Sequence, residues 1–128
     1  MPGWMFDSVA LIDYYHNRPT VVPYFEMILN GQATGAFSTI TELELWQGIR
    51  PGEEERHEAL LALLGRVPLD SAIARRAGEL RRRMGLDNLT LPDAAIAAST
   101  ELTGRILLTR NTRDFEPLKT LLDVEFYG

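Results

Sequence analysis

The sequence predicts an α/β fold: a three-layer sandwich with helices on both faces of a central, mainly parallel sheet. Three observations carry this expectation. Short apolar runs alternate with helical stretches from one end of the chain to the other. The 128 residues contain no internal repeat, linker or low-complexity segment, so residues 1–128 read as one domain. Acidic residues recur just after the apolar runs or in the first turns of the helices that follow them. In an open parallel sheet that is where ligands bind.

The elements follow in order. Trp4-Met5-Phe6 is a first apolar strand. Asp7 or Ser8 caps the helix Val9 to His16, which is apolar on most sides. Asn17-Arg18-Pro19 breaks it. Thr20 to Leu29 is a second helix, with Thr20 as a cap and Pro23 tolerable only in its first turn. Asn30-Gly31 ends it. Ala36 to Ser38 is a second strand, and Thr39 or Thr41 caps a helix that runs to Gly48. Pro51-Gly52 turns the chain into an amphipathic helix, Glu53 to Leu64, whose early glutamates suit the positive end of the helix dipole. Gly65 stops it, and Val67-Pro68-Leu69 is extended. Asp70 or Ser71 caps a helix to about Met84, with Ile73, Ala77 and Leu80 on one face. Gly85 to Thr90 is a loop. Leu91 to Leu102 is a helix with Pro92 near its first position, where proline fits. Thr103-Gly104 is a break, Arg105 to Leu108 a short strand, and Thr109 to Asp114 a polar turn. Val124 to Tyr127 is a last edge strand.

Composition narrows the chemistry. Hydrophobic residues make up 45% and charged ones 24%, as in ordinary globular proteins. There is no cysteine, so disulfides and thiolate metal sites are excluded, and the presence of only two histidines, His16 and His57, argues against a histidine-rich zinc site. A metal site here would be built from carboxylates, which favour Mg²⁺ or Mn²⁺. No apolar run approaches the roughly 20 residues that cross a bilayer. No basic region precedes an apolar core at the N-terminus, and the expectation is a cytoplasmic protein. A net charge of −5 argues against a protein that coats nucleic acid, but not against an enzyme acting on RNA through bound cations.

Asp7 follows the first strand, Asp93 lies in the first turn of the late helix, and Asp114 follows the strand Arg105 to Leu108. Glu42 and Glu44 both lie on the helix after the second strand, and spacing alone does not choose between them. Each acid has a plainer reading: Asp7 as a helix cap, Asp93 as a complement to a helix dipole, Asp114 as the cap of a short turn. Together they fall at corresponding points of consecutive elements. If those strands are parallel neighbours, four carboxylates meet at one edge, and their repulsion is relieved by protonation or by a divalent cation. Two cations roughly 3.5–4 Å apart can clamp a phosphodiester and activate water.

At these residues the sequence resembles the PIN-domain ribonucleases, and in particular the VapC-type toxins of bacterial toxin–antitoxin pairs. FDSVALIDYY from Phe6 is similar to the family's opening, and STITELELWQG from Ser38 to its segment of an acid, Leu, an aromatic and a nearby Gly. That similarity selects Glu44. LPDAAIAAS from Leu91 matches the helix that carries a metal-binding aspartate, here Asp93, and TRNTRDFE from Thr109 places the fourth acid at Asp114. Other subgroups carry an acid where this chain has Asn111. The resemblance covers nearly the whole chain and implies a PIN-like sandwich and a metal-dependent endoribonuclease using Mg²⁺ or Mn²⁺. Asp7 and Asp93 would be the main ligands, with Glu44 and Asp114 completing the pocket and Ser8, Thr109 and Asn111 lining it. It further implies hydrolysis of RNA by metal-activated water, a homodimer, a possible higher assembly, and a VapB-type antitoxin whose C-terminal segment covers the groove. The apolar helices Val9 to His16 and Thr20 to Leu29 are candidate partner surfaces; the alternative is ordinary core.

Six of the twelve arginines lie between Arg66 and Arg83. They suit either RNA phosphates or a solvated helix face with pairs such as Arg75–Glu79 and Glu79–Arg83. Arg110 and Arg113 flank the acids and are candidates for touching substrate or an antitoxin carboxylate. Trp46 and Phe115 suit base stacking or burial. Two other α/β readings fail. A two-component receiver domain needs paired acids after strand one and a lysine after a late strand, whereas Ser8 follows Asp7 and Lys119 is the sole lysine. A haloacid-dehalogenase-type phosphatase needs a second acid where Val9 stands. A PIN fold reduced to a binding module is the remaining alternative.

Overall fold

A computed structural model describes all residues, 1–128. Five strands, β1 (Gly3–Phe6), β2 (Thr34–Ser38), β3 (Gly65–Val67), β4 (Ile106–Thr109) and β5 (Val124–Phe126), form one sheet in the order β3-β2-β1-β4-β5. Every pairing is parallel, and Phe6 stands level with Phe37 and Leu108. The predicted sandwich is therefore the fold observed, with a wholly parallel sheet.

The three central strands, β1, β2 and β4, are apolar on both sides because both faces are covered. Trp4, Phe6, Phe37 and Leu108 face one way, onto α1 (Ser8–Tyr15), α2 (Val22–Leu29), α3 (Thr39–Gln47) and α4 (Glu54–Leu61). Met5, Ala36 and Leu107 face the other, onto α5 (Ser71–Met84), α6 (Leu91–Leu102) and α7 (Thr112–Phe115). Seven consecutive residues of α6, Ala94 to Thr100, are buried. Their small side chains let the helix lie close between the sheet and α5.

Several local expectations shift. Ser38, not Thr39 or Thr41, caps α3, its Oγ accepting the Ile40 N–H at 3.2 Å. Helix α2 begins at Val22 without a side-chain cap, so Pro23 sits in its first turn as required and Thr20 has no capping role. The strand after α4 is Gly65–Val67 rather than Val67 to Leu69, because its pairing with Ala36–Ser38 is set across the sheet. The turn after β4 closes into the single helical turn α7, capped by Asn111. The arginine-rich helix α5 lacks the expected Arg75–Glu79 and Glu79–Arg83 pairs. Instead Arg76 bonds Glu79 at 3.1 Å and, through Nε, Glu101 of α6 at 2.5 Å. Arg81 donates to the Leu86 and Leu89 carbonyls and so fixes the loop between α5 and α6.

Gly35 in β2 is required by space. A Cβ there meets the Phe6 ring, Ile28 Cδ1 at 2.8 Å and Leu64 Cδ2 at 2.9 Å. Gly35→Ala is expected to cost about 1–3 kcal/mol through overpacking, measured by urea unfolding.

Candidate active site

The strand order reverses between β1 and β4, since β2 and β3 extend one way from β1 while β5 extends the other from β4. Such a switch point opens a crevice at the carboxyl ends of the strands. Asp7 follows β1 there and Thr109 ends β4. The Thr109 hydroxyl donates to Asp7 Oδ2 and ties the two sides of the crevice together. Asp7 Oδ1 accepts the Ala10 N–H at 2.8 Å, so the same side chain caps α1. The cap reading of Asp7 is therefore correct, and the cap itself stands at the crevice.

The other predicted residues gather around this point. Ser8, first in α1, donates its hydroxyl to Glu44 Oε1 at 2.6 Å, which brings α3 to the crevice. The Asn111 side chain donates to Asp114 Oδ2 at 2.8 Å, while its backbone N–H bonds the Thr109 hydroxyl at 3.0 Å. Asp93 lies in the first turn of α6 beneath the Thr90 cap. Glu42 points away, paired with Arg66 at 3.0 Å on the edge of the sheet.

Electrostatics shows that the four acids share one field. Burial pushes the Asp7 carboxyl up to about 6, although Thr109 and the Ala10 amide favour its ionised form; Asp13 and Glu44 add repulsion. Asp93 is also pushed up to about 6, first by burial and then by the charge of Asp114, with smaller contributions from Asp7 and Glu44. As placed, no three acids or histidines stand close enough to ligate one ion. Each of Asp7, Glu44 and Asp114 instead accepts a bond from Thr109, Ser8 or Asn111. The donor set still fits a hard divalent cation. It is all oxygen, it lies at one sheet edge, and its ionised form is held at a cost that a cation removes.

The family model for the PIN domain matches residues 5–119. The chain belongs to the PIN domain family. Among solved structures, this PIN domain is similar to a toxin–antitoxin complex from Klebsiella pneumoniae, with 32% identity over 87% of this chain and 88% of that one and a TM-score of 0.75. It is similar in fold to VapBC2 from Rickettsia felis bound to a promoter DNA fragment, with 20% identity over 98% and 99% of the chains and a TM-score of 0.82. DNA-bound VapBC from Salmonella typhimurium gives 22% identity, 98% coverage of each chain and a TM-score of 0.79. No curated protein matches the chain.

One residue of the PIN domain's crevice was not singled out from sequence. Asp13 is buried on α1 and accepts from Arg110 Nε at 2.6 Å, the Tyr127 hydroxyl at 2.7 Å and Arg18 at 3.4 Å. It joins α1 to the turn after β4 and to the chain beyond β5. Arg110, a candidate for substrate contact, is thus held by Asp13, whereas Arg113 is exposed and without an ionic partner. Phe115 is fully buried and so is no stacking platform, while Trp46 is half-buried with its ring edge-on to His57. Beside Glu44 a second cavity of about 260 Å³ opens between α1, α3 and α4, lined by Leu11, Ile12, Tyr15 and His57 among others. No helix is long and apolar enough to cross a membrane.

Proposed function

We propose that this PIN domain is a metal-dependent endoribonuclease that acts as a VapC-type toxin and is held in check by a cognate VapB-type antitoxin. The observation that carries the reading is the shared field of Asp7, Glu44, Asp93 and Asp114 at the switch point of the sheet. Membership of the PIN family and the 32% identity to a toxin–antitoxin complex support it.

Asp7 and Asp93 are the main ligands of Mg²⁺ or Mn²⁺, with Glu44 and Asp114 completing the set. The cation, when bound, supplies Lewis-acid polarisation of the phosphodiester and a nucleophilic water at neutral pH. The chain supplies order. Thr109 fixes the Asp7 carboxylate, Ser8 fixes Glu44, and Asn111 fixes Asp114. Arg113 stands at the rim for a phosphate oxygen. No enzyme-bound covalent intermediate is formed. The protein acts in the cytoplasm as a homodimer.

The cavity between α1, α3 and α4 is the proposed seat of an antitoxin segment, which would then cover the crevice beside Glu44. Ile12, 43% exposed at this cavity, is the apolar contact on offer. Ile12→Glu is expected to weaken antitoxin binding about 30-fold, the cost of losing one well-packed anchor. Calorimetry with the purified antitoxin measures it.

The function itself is tested by incubating antitoxin-free protein with total cellular RNA in Mn²⁺, in Mg²⁺ and in EDTA, beside Asp7→Asn. Discrete cleavage that needs metal and is lost in the variant supports the nuclease. Folded, antitoxin-free protein that cleaves nothing in either metal would be a binding module. Cleavage undiminished in the variant would mean a contaminating nuclease or a wrongly assigned site.

A further inference from the structure

A cleft of about 330 Å³ opens between the α5–α6 loop and α7, with Asp114 in its lining. This is at the small end of the ~300–1,000 Å³ range of ligand clefts. Its floor is apolar, made by Met84, Leu89 and Leu118, of which the last two are almost wholly buried. Its rim is polar. Asp87, Asn88 and Arg113 are exposed there, and Asp114 joins the cleft to the four-carboxylate crevice.

The rim groups have a definite hydrogen-bonding character. Asn88 Nδ2 donates to the Met84 carbonyl at 2.8 Å, so its Oδ1 is left as an acceptor. Asp87, next to it, has no ionic partner and offers carboxylate oxygens. The rim thus presents two neighbouring acceptors and, across the cleft, one unpaired cation in Arg113. The loop is held in place by Arg81, which donates to Leu89 O at 2.7 Å and Leu86 O at 2.8 Å. A flat apolar-faced group with paired donors on its edge and an attached phosphate answers this arrangement. Among the RNA bases guanine carries adjacent N1–H and N2–H₂ donors, and unstacked bases of single-stranded RNA are read on that edge.

We propose that this cleft receives the guanine base of a nucleotide next to the scissile phosphate, with Asp87 and Asn88 reading its Watson–Crick edge and Arg113 holding its phosphate. The assignment rests on the nuclease reading and adds to it the source of sequence preference.

Two measurements test it. The first maps cleavage of a randomised single-stranded RNA library in Mn²⁺. Guanine is expected at one fixed position beside the cut with a preference of about tenfold or more. Asp87→Asn, which replaces a carboxylate acceptor by an amide, should reduce that preference to within about twofold without altering the other positions. Arg113→Ala should raise KM severalfold and leave the base preference intact. The second titrates metal-free protein with the four nucleoside 5′-monophosphates and follows backbone amides by NMR. GMP should perturb Asn88, Leu89 and Leu118 at about tenfold lower concentration than UMP.

A guanine preference that survives Asp87→Asn, cleavage without base preference, or GMP acting elsewhere on the surface would each overturn the assignment while leaving the nuclease intact. GMP binding in the cleft of a protein that cleaves no RNA would sink the nuclease reading and uphold base recognition.

Discussion

Asp7→Asn will melt at a higher temperature than the wild type in EDTA at pH 7.5, and will cleave RNA at least about 10³-fold more slowly in Mn²⁺, since bound cations supply several kcal/mol of charge stabilisation. The two effects share one cause. The Asp7 carboxyl is raised to about 6 by burial, with Asp13 and Glu44 adding repulsion. Between roughly pH 4 and 6 the folded chain therefore binds more protons than the unfolded one, and stability falls as the pH rises. The contribution is fully present below about pH 4 and is lost as the pH passes through about 6. Asp93, raised to about 6 chiefly by burial and by Asp114, acts in the same direction but is more solvated. An asparagine at position 7 still accepts the Ala10 N–H and keeps the cap. It removes a buried charge worth about 2–3 kcal/mol at pH 7.5 in the metal-free state. Melting curves in EDTA from pH 4 to 8 measure this. Wild type and variant should differ little at pH 4 and diverge towards neutrality. A variant that is less stable at pH 7.5 would mean that the Asp7 charge is already compensated within the chain.

Asp13→Ala will destabilise the protein by about 2–4 kcal/mol at pH 7, lowering Tm by roughly 10 °C. Asp13 is buried and holds Arg110, Tyr127 and Arg18 together. Removing it leaves the Tyr127 hydroxyl buried without its acceptor and frees Arg110 to swing over the acidic crevice. Asp13→Asn should lose less, because an amide oxygen still accepts from Tyr127. The pH dependence has the opposite sign to that of Asp7. Burial alone would raise the Asp13 carboxyl, but the bonds from Arg110 and Tyr127 and the charges of Arg110 and Arg18 bring it below its ordinary value. Its contribution is present above about pH 4 and lost as the pH falls through the lowered value. Urea unfolding of Asp13→Asn and wild type should therefore differ at pH 7 and converge at low pH. Equal stability at pH 7 would show that the network is ornamental.

The parts of the molecule legible in the sequence are those written by local chemistry. Helix α5 runs from its Asp70 cap to Gly85, and α6 begins at Pro92's allowed position and ends at the Thr103-Gly104 break. The positions of Asp7 and Asp93 were legible for the same reason, since one follows a strand and the other opens a helix, whereas Glu44, midway along α3, is chosen over Glu42 only through the family resemblance. What escaped was set across the sheet. β3 has one apolar residue, Val67, and is a strand only because β2 pairs with it. Asp13 lies 97 residues from Arg110 and 114 from Tyr127, and no spacing rule joins them. Arg76 reaches Glu101, 25 residues on, as well as Glu79 within the helix, and the pairs expected at Arg75 and Arg83 do not form.

The central claim is that Asp7, Glu44, Asp93 and Asp114 form one cation site. Its most direct test is a Mn²⁺ titration of antitoxin-free protein at pH 7.5, followed by paramagnetic broadening of backbone amides. The account predicts saturable broadening centred on Asp7–Ser8, Glu44, Asp93 and Asn111–Asp114, abolished together in Asp93→Asn. Broadening centred elsewhere, such as on Glu53 to Glu55, or unchanged in Asp93→Asn, would contradict it.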